Sequence, residues 1–464
     1  MTPPMRILFL SDFYPPHDIG GYEQWCHEVA TALQARGHDL TVLTSRHGLA
    51  NGHAPLPAEP PGHQVRVIRT LFLESDLNHY QPLAFLLRCA RQERANVEQL
   101  HRTIDLVRPD VVLVWNMWNL SHFVPLHAER QLPGRVGYYV SNYWPTDVDA
   151  HTAYWTRPTR RAVMAPLKAP LRTTALARLR REGYPPRLEF RHAVCCSHYV
   201  RDRLVEAGKL PESAGVLLGG TDPAPFLAHS VLERERTPGE VRLLYFGRLI
   251  HDKGAHTALE ALGLLAARGI ADRVRLTVLG SGHPDYERSL ERMCRDLGLE
   301  SIVRFVRQVP RDEVPARLGE HDVFLFTSIW PEPMARSVME AMAAGLLVIG
   351  TEVGGQTEML HHGQNALTFG PEDAQALAGH IAAMMDEPAE RRRLARAGQD
   401  LVLRHFTLDR MVRDIERFLV GMTTGAHTNA RSDSDDADGV STLELVAPQA
   451  RSVSDVLGAT RRLP

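Results

Sequence analysis

The 464-residue sequence predicts an α/β protein of two doubly wound domains facing across a cleft, with a disordered C-terminal tail. Three observations predict it. Short apolar runs alternate with amphipathic stretches along most of the chain, the pattern of parallel strands covered on both faces by helices. A second series of such runs starts after Asp222, so the alternation describes two similar units. From residue 422 onward, Ser, Thr, Asp, Gly and Ala dominate and apolar periodicity is lost; such a segment buries too little to fold.

In chain order, MRILFL (5–10) is a buried strand. A loop with Pro15, Pro16, Gly20 and Gly21 follows, then the helix YEQWCHEVATALQARG, stopped at Gly37, and the strand DLTVLT (39–44). RPDVVLVW (108–115), GRVGYYVS (134–141) and RHAVCCS (191–197) continue the first series. HSVLERERTPGE (229–240) is polar and turn-rich, the composition of a linker. The second series has strands at 241–249, 274–282, 302–309, 322–328 and 346–352, with helices over 254–269 and 286–298 between them. These elements divide the chain into domains at 1–225 and 226–405, a helix at 406–421 and the tail at 422–464. Ligands of such sheets bind beyond the carboxyl ends of the strands.

Composition narrows the function. With 53 basic and 55 acidic residues the net charge is −2, so no overall field recruits nucleic acid. The five cysteines form no C-x-x-C pair, which argues against a disulfide framework or zinc knuckle. The opening residues do not read as a signal peptide and no transmembrane run is present, so the expected location is the cytoplasm, with the inner face of the membrane as an alternative.

The segment WPEPMARSVMEAMAAG (330–345) carries two glutamates. Pro331 and Pro333 keep the backbone around Glu332 extended. ARSVMEAMAA is a good helix ended by Gly345, so Glu340 is helical. Between the glutamates, backbone N–H groups near Ala335, Arg336 and Ser337 form an anion site at a helix N-terminus. This order suits a ligand with hydroxyls at both ends and negative charge in the middle. A paired-carboxylate hydrolase, or a plain surface loop and amphipathic helix, competes on these residues alone.

GRLIHDKG (247–254) adds Arg248 and Lys253 in a glycine-bounded loop, able to stabilise a departing diphosphate. Lysine occurs only at 168, 209 and 253, so a lysine here, among 50 arginines, hints that a compact ammonium is wanted. A solvated turn is the plainer reading. Gly20 and Gly21 would let backbone approach phosphates, or simply form a flexible turn.

GRLIHDKG, VLGSGHPDYERSLERMCRDLGL, IVRFVRQV and TSIWPEPMARSVMEAMAAGLLVIGTEVGGQTEML together resemble glycosyltransferase family 4, the retaining GT-B enzymes. The likeness runs from about Met5 to Phe418 and is strongest over 241–370. It implies two Rossmann-like domains, acceptor-side first and nucleotide-sugar-binding second, with the 406–421 helix crossing back. It further implies that Arg248 and Lys253 grip the diphosphate, Glu332 addresses the donor sugar and Glu340 the ribose, with Gly20, Gly21, Met334, Ala335, Arg336 and Ser337 around the donor. No metal and no cofactor are expected, and no D-x-D triplet stands in a plausible donor loop. The expected partners are a nucleotide-sugar donor and a glycan or lipid-linked acceptor, as in polysaccharide assembly.

Two departures stand out. Ser141 and Asn142 occupy the positions of the family's His and Asp in a T-x-H-D-x-W stretch, with His122 and His127 as weaker substitutes. Met334–Ala335 replaces the commoner Phe-Gly. On the acceptor side, Trp118 and Trp144 suit stacking on sugar rings, or core packing. Ten basic residues between Tyr154 and Arg191 suit anionic lipid, or a solvated helix face. A nucleotide-sugar 2-epimerase of the same fold and a noncatalytic sugar-nucleotide-binding protein are the alternatives.

Overall fold

The computed structural model describes residues 3–17, 20–49, 64–75, 80–157, 165–234 and 240–424. The chain forms two compact units. The first takes Met1–Cys196, Val200–Leu217 and the chain from Val412 on; the second takes Ser197–Tyr199 and Leu218–Met411.

The first unit holds a seven-stranded parallel sheet: β1 (Arg6–Leu10), β2 (Asp39–Ser45), β3 (Arg66–Leu71), β4 (Val111–Val114), β5 (Val136–Val140), β6 (His192–Cys195) and β7 (Gly215–Val216). Their order is β3-β2-β1-β4-β5-β6-β7. The central strands are apolar throughout because helices cover both faces; every residue of β4 and β5 is buried. The last helix, Leu408–Thr424, is strongly amphipathic. Within this unit, Glu416 pairs with Arg36 (2.8 Å) and His38 (3.0 Å). Gly137 on β5 leaves room for Phe418 and Met422, which a Cβ there would crowd.

The second unit holds a six-stranded parallel sheet: β8 (Val241–Phe246), β9 (Val274–Leu279), β10 (Val303–Val306), β11 (Val323–Phe326), β12 (Leu347–Thr351) and β13 (Leu367–Phe369). The order is β10-β9-β8-β11-β12-β13. Both sheets are thus doubly wound, as expected. The order reverses between β1 and β4 in one and between β8 and β11 in the other, so each has a topological switch point between two central strands.

The structure also departs from the sequence reading. Strands β3, β7 and β13 and the helices Pro82–Val107 and Pro388–His405 lie outside the expected set. β3 and β13 are edge strands and β7 has two residues, so none carries a long apolar run. The stretch from His229 is not a solvated linker: Val231 and Leu232 are buried and Val231 N–H donates to the Ala344 carbonyl (3.0 Å). Residues 235–239 of that stretch lie outside the described residues. Met422–Thr424 complete the last helix instead of starting a tail, and 425–464 lie outside the described residues.

Candidate active site

In the second unit, the two loops that leave β8 and β11 flank the switch point. The first runs from Gly247 to a short 3-10 turn, His251–Lys253, and ends at Gly254. Tyr245, buried on β8, donates its hydroxyl to the Arg248 carbonyl (3.1 Å) and so holds the start of the loop. Burial pushes that phenol's pKa well up, keeping it a neutral donor. From the second loop, Thr327 Oγ1 donates to the Lys253 carbonyl (3.1 Å) and Ile329 N–H to that of Asp252 (2.9 Å).

Gly254 makes this contact between loops feasible. It has φ +66°, and a Cβ would overlap the Thr327 carbonyl oxygen. Only glycine supplies both the left-handed backbone and the space. On the other side, Gly354 (φ +61°) and Gly355 lie against the backbone of Pro331–Pro333, and Gly355 N–H donates to the Glu332 carbonyl (2.8 Å). The Glu332 loop is therefore clamped from two directions, with Thr351 Oγ1 of β12 also donating to the Ser328 carbonyl (2.7 Å).

The clamp brings Lys253 and Glu332 together. Lys253 Nζ forms an ion pair with Glu332 Oε1, and Ser328 Oγ lies 3.0 Å from the same oxygen. The carboxylate side chain is 7% exposed and the lysine 21%, so the pair is shielded but open on the lysine side. Arg248 projects into solvent from the same loop.

After Pro333 the chain enters the helix Arg336–Ala343 with Ala335 as its extended N-cap and no side-chain cap. Val338 N–H bonds the Ala335 carbonyl (3.2 Å), closing the first turn of this helix. Met334, Ala335 and Arg336 are buried and Ser337 is half-buried. Glu340 is buried further along. Arg311 grips it through both guanidinium nitrogens (Nη1 to Oε2, 2.9 Å), and Arg336 Nε lies 3.5 Å from Oε1.

Arg311 and Ser328 were missed by the sequence reading. Arg311 stands 29 residues before Glu340 in an unremarked loop, and no spacing rule links the two. Ser328 lies two residues beyond the apolar β11 run, where its position past a strand's carboxyl end was the available signal.

The remaining expected residues lie in the first unit. Gly20 is the N-cap of the helix Gly21–Ala35 and its N–H is taken by Glu23 Oε2 (2.9 Å). Ser141 and Asn142 follow β5 at its carboxyl end. Ser141 Oγ is buried with no hydrogen-bond partner among the described residues. Asn142 Nδ2 donates to Asn116 Oδ1 (2.8 Å), and Asn116 lies 3.4 Å from Glu23. Asp12, beyond β1, joins this polar group; burial and then the Glu23 charge push its pKa well up. Trp144 packs the core: it is 1% exposed, with its ring against His122 (4.9 Å) and Phe190 (5.7 Å). Trp118, in contrast, is 48% exposed. His122 is driven down to about 4 by burial and stays neutral. Arg160 and Arg161 of the basic stretch lie outside the described residues.

Known proteins sharpen this picture. The family model described as Glycosyltransferase Family 4 matches residues 19–224, and that described as Glycosyl transferases group 1 matches 233–401. Glycogen synthase of Mycobacterium tuberculosis is 29% identical over 413 residues, covering 87% of this chain and 91% of its own. Among solved structures, sucrose-phosphate synthase from Thermosynechococcus elongatus superposes with a TM-score of 0.67 at 19% identity, covering 90% of this chain and 99% of that one. Anabaena HepE, solved in complex with UDP and glucose, gives 0.61 at 18% identity, covering 90% and 99%. The two family models follow one another along the chain, one largely on each sheet, and this GT-B protein belongs to the glycosyltransferases.

Proposed function

We propose that the chain is a retaining glycosyltransferase that moves a sugar from a nucleotide-sugar to a glycan or lipid-linked acceptor without a divalent metal. The observation that carries this reading is the Lys253–Glu332 pair at the carboxyl ends of β8 and β11, with Arg248 beside it and Glu340 along the following helix. Glu332 accepts hydrogen bonds from the donor sugar's hydroxyls. Arg248, Lys253 and the N-terminus of the helix Arg336–Ala343 take the diphosphate, and Glu340 takes the ribose. Arg311 holds Glu340 in place until ribose competes for its oxygens.

As the bond from the anomeric carbon to the phosphate oxygen breaks, negative charge grows on the diphosphate, where the two cations stabilise it. The acceptor hydroxyl attacks the same face, and its proton passes to the departing phosphate oxygen. Glu332 is not a covalent nucleophile in this scheme. Retention follows from the family likeness. The cations do the work that a metal does in other transferases, so added magnesium or manganese leaves the rate unchanged.

The nucleotide-sugar donor is supported by HepE, whose structures contain UDP or UDP-glucose. The exposed Arg172, Arg180 and Arg181 on the helix Ala165–Arg181 suit peripheral association with anionic lipid at the cytoplasmic face. Among the described residues, no helix is long and apolar enough to cross a membrane.

The test is a thermal-shift screen of UDP-, GDP- and ADP-sugars, followed by NMR of the stabilising donor with an acceptor panel. Transfer with retained anomeric configuration, unaffected by added magnesium or manganese, supports the proposal. Inverted product, epimerised donor, or donor binding without transfer overturns it.

A further inference from the structure

Three side chains of the second unit that have no part in the transfer scheme converge beside the Lys253 turn. His251 opens the 3-10 turn, His256 lies in the first turn of the helix Ala255–Ala267, and Glu372 precedes the helix Ala374–Asp386. One potential ligand atom from each lies within 4.8 Å of the others. The two imidazoles stack at 4.8 Å with 29° between their planes, and His256 Nε2 lies 3.8 Å from Glu372 Oε1.

We propose that His251, His256 and Glu372 form a binding site for a borderline divalent transition metal, zinc being the representative ion. Two imidazoles and one carboxylate match such ions and suit magnesium or calcium poorly. Three protein ligands leave the fourth tetrahedral position to water.

The surroundings supply what a metal site needs. Tyr286 Oη lies 2.7 Å from His256 Nδ1. When Nδ1–H donates to the tyrosine oxygen, the lone pair is on Nε2, the nitrogen facing Glu372, so Tyr286 orients the ligand. Ligand atoms about 2.0–2.1 Å from zinc in a tetrahedron lie roughly 3.3 Å apart. The present separations, up to 4.8 Å, are wider than that value, and Glu372, 58% exposed, has solvent around it through which to approach the imidazoles. Glu372 also holds φ +61°, a costly backbone for a residue other than glycine, which fixes where its side chain starts.

A bound ion joins the turn that carries Lys253 to the start of the helix Ala374–Asp386. It acts as a tie beside the donor loop and takes no part in bond breaking. The proposal stands or falls independently of the transfer reaction.

The test titrates the full-length, EDTA-stripped protein with zinc against a chromophoric indicator and follows thermal unfolding in parallel. One equivalent bound with a rise in Tm is expected. His256→Ala and Glu372→Gln should lose that equivalent and the rise. Tyr286→Phe should bind about tenfold more weakly, and excess magnesium should not compete. Should His256→Ala fail to fold, His251→Asn, at an exposed position, reads out the same loss. No zinc bound by the wild type, or equal binding in all variants, overturns the proposal.

Discussion

Removing Lys253 should destabilise the second unit more than neutralising Glu332 does. The Glu332 side chain is 7% exposed, so Lys253→Ala strands a shielded carboxylate whose remaining neighbour is Ser328 Oγ at 3.0 Å. Breaking a fully buried pair in this way costs about 3–5 kcal/mol. The lysine side is 21% exposed, so water enters the vacated space and the cost falls to about 2 kcal/mol. Glu332→Gln leaves instead an ammonium that water reaches directly, at a cost under about 1 kcal/mol. In the double variant neither charge is stranded, so it should be more stable than the sum of the singles predicts by roughly 1–2 kcal/mol. For a unit of this size, about 2 kcal/mol is a Tm loss of roughly 4–8 °C. The assay is thermal or urea unfolding of the four proteins in a double-mutant cycle, with initial transfer rates alongside. The rates should fall about 100- to 1000-fold in Lys253→Ala, the usual loss when one stabiliser of developing charge is deleted. Equal destabilisation by the two single variants, or additivity in the double, would refute the argument from burial.

Gly254→Ala should lower Tm and transfer together, because φ +66° costs alanine about 1–2 kcal/mol and its Cβ would push the Lys253 turn off the Thr327 carbonyl; unchanged rates would show that the two loops need not touch. Arg311→Ala should raise the donor Kd by roughly tenfold by freeing the Glu340 carboxylate from both guanidinium contacts, about 1.4 kcal/mol in positioning, read by calorimetry; tighter binding would mean that Arg311 only blocks the ribose site. In the first unit, burial raises Glu93 to about 7, partly offset by the Ser121 hydroxyl. The folded state then holds its proton more tightly than the unfolded chain, so its contribution is present below about pH 4.5 and is lost as pH rises to 7, a fall of about 3 kcal/mol. Glu93→Gln should flatten the Tm–pH curve over that window, and an unaltered slope would reassign the titration.

Much of the fold and half of the site were legible in order along the chain. The apolar runs at 5–10, 241–249 and 322–328 became β1, β8 and β11 because strands covered on both faces must be apolar along their length. Pro331 and Pro333 alone set Glu332 on an extended loop ahead of a helix that carries Glu340, and the structure keeps that division. Local rules of this kind act over a few residues, so they survive without knowledge of the fold. Edge strands such as β13 did not announce themselves, since a short half-paired strand needs no long apolar run.

What only the tertiary structure decided is which side chains meet. Lys253 and Glu332 are 79 residues apart and Arg311 and Glu340 are 29 apart, and no periodicity spans such gaps. Their meeting depends on strand order, which puts β8 next to β11, and on Gly254, whose missing Cβ lets the two loops close. The same distinction sorts the tryptophans: composition made Trp118 and Trp144 equivalent candidates, and burial makes one an open face and the other a core side chain. The sequence by itself determined the long apolar strands, the glutamate loop and helix, and the cationic loop, since these follow from local backbone and hydrophobic rules. The pairings, and the burial that decides what each charge costs, come from contacts between segments distant in the chain.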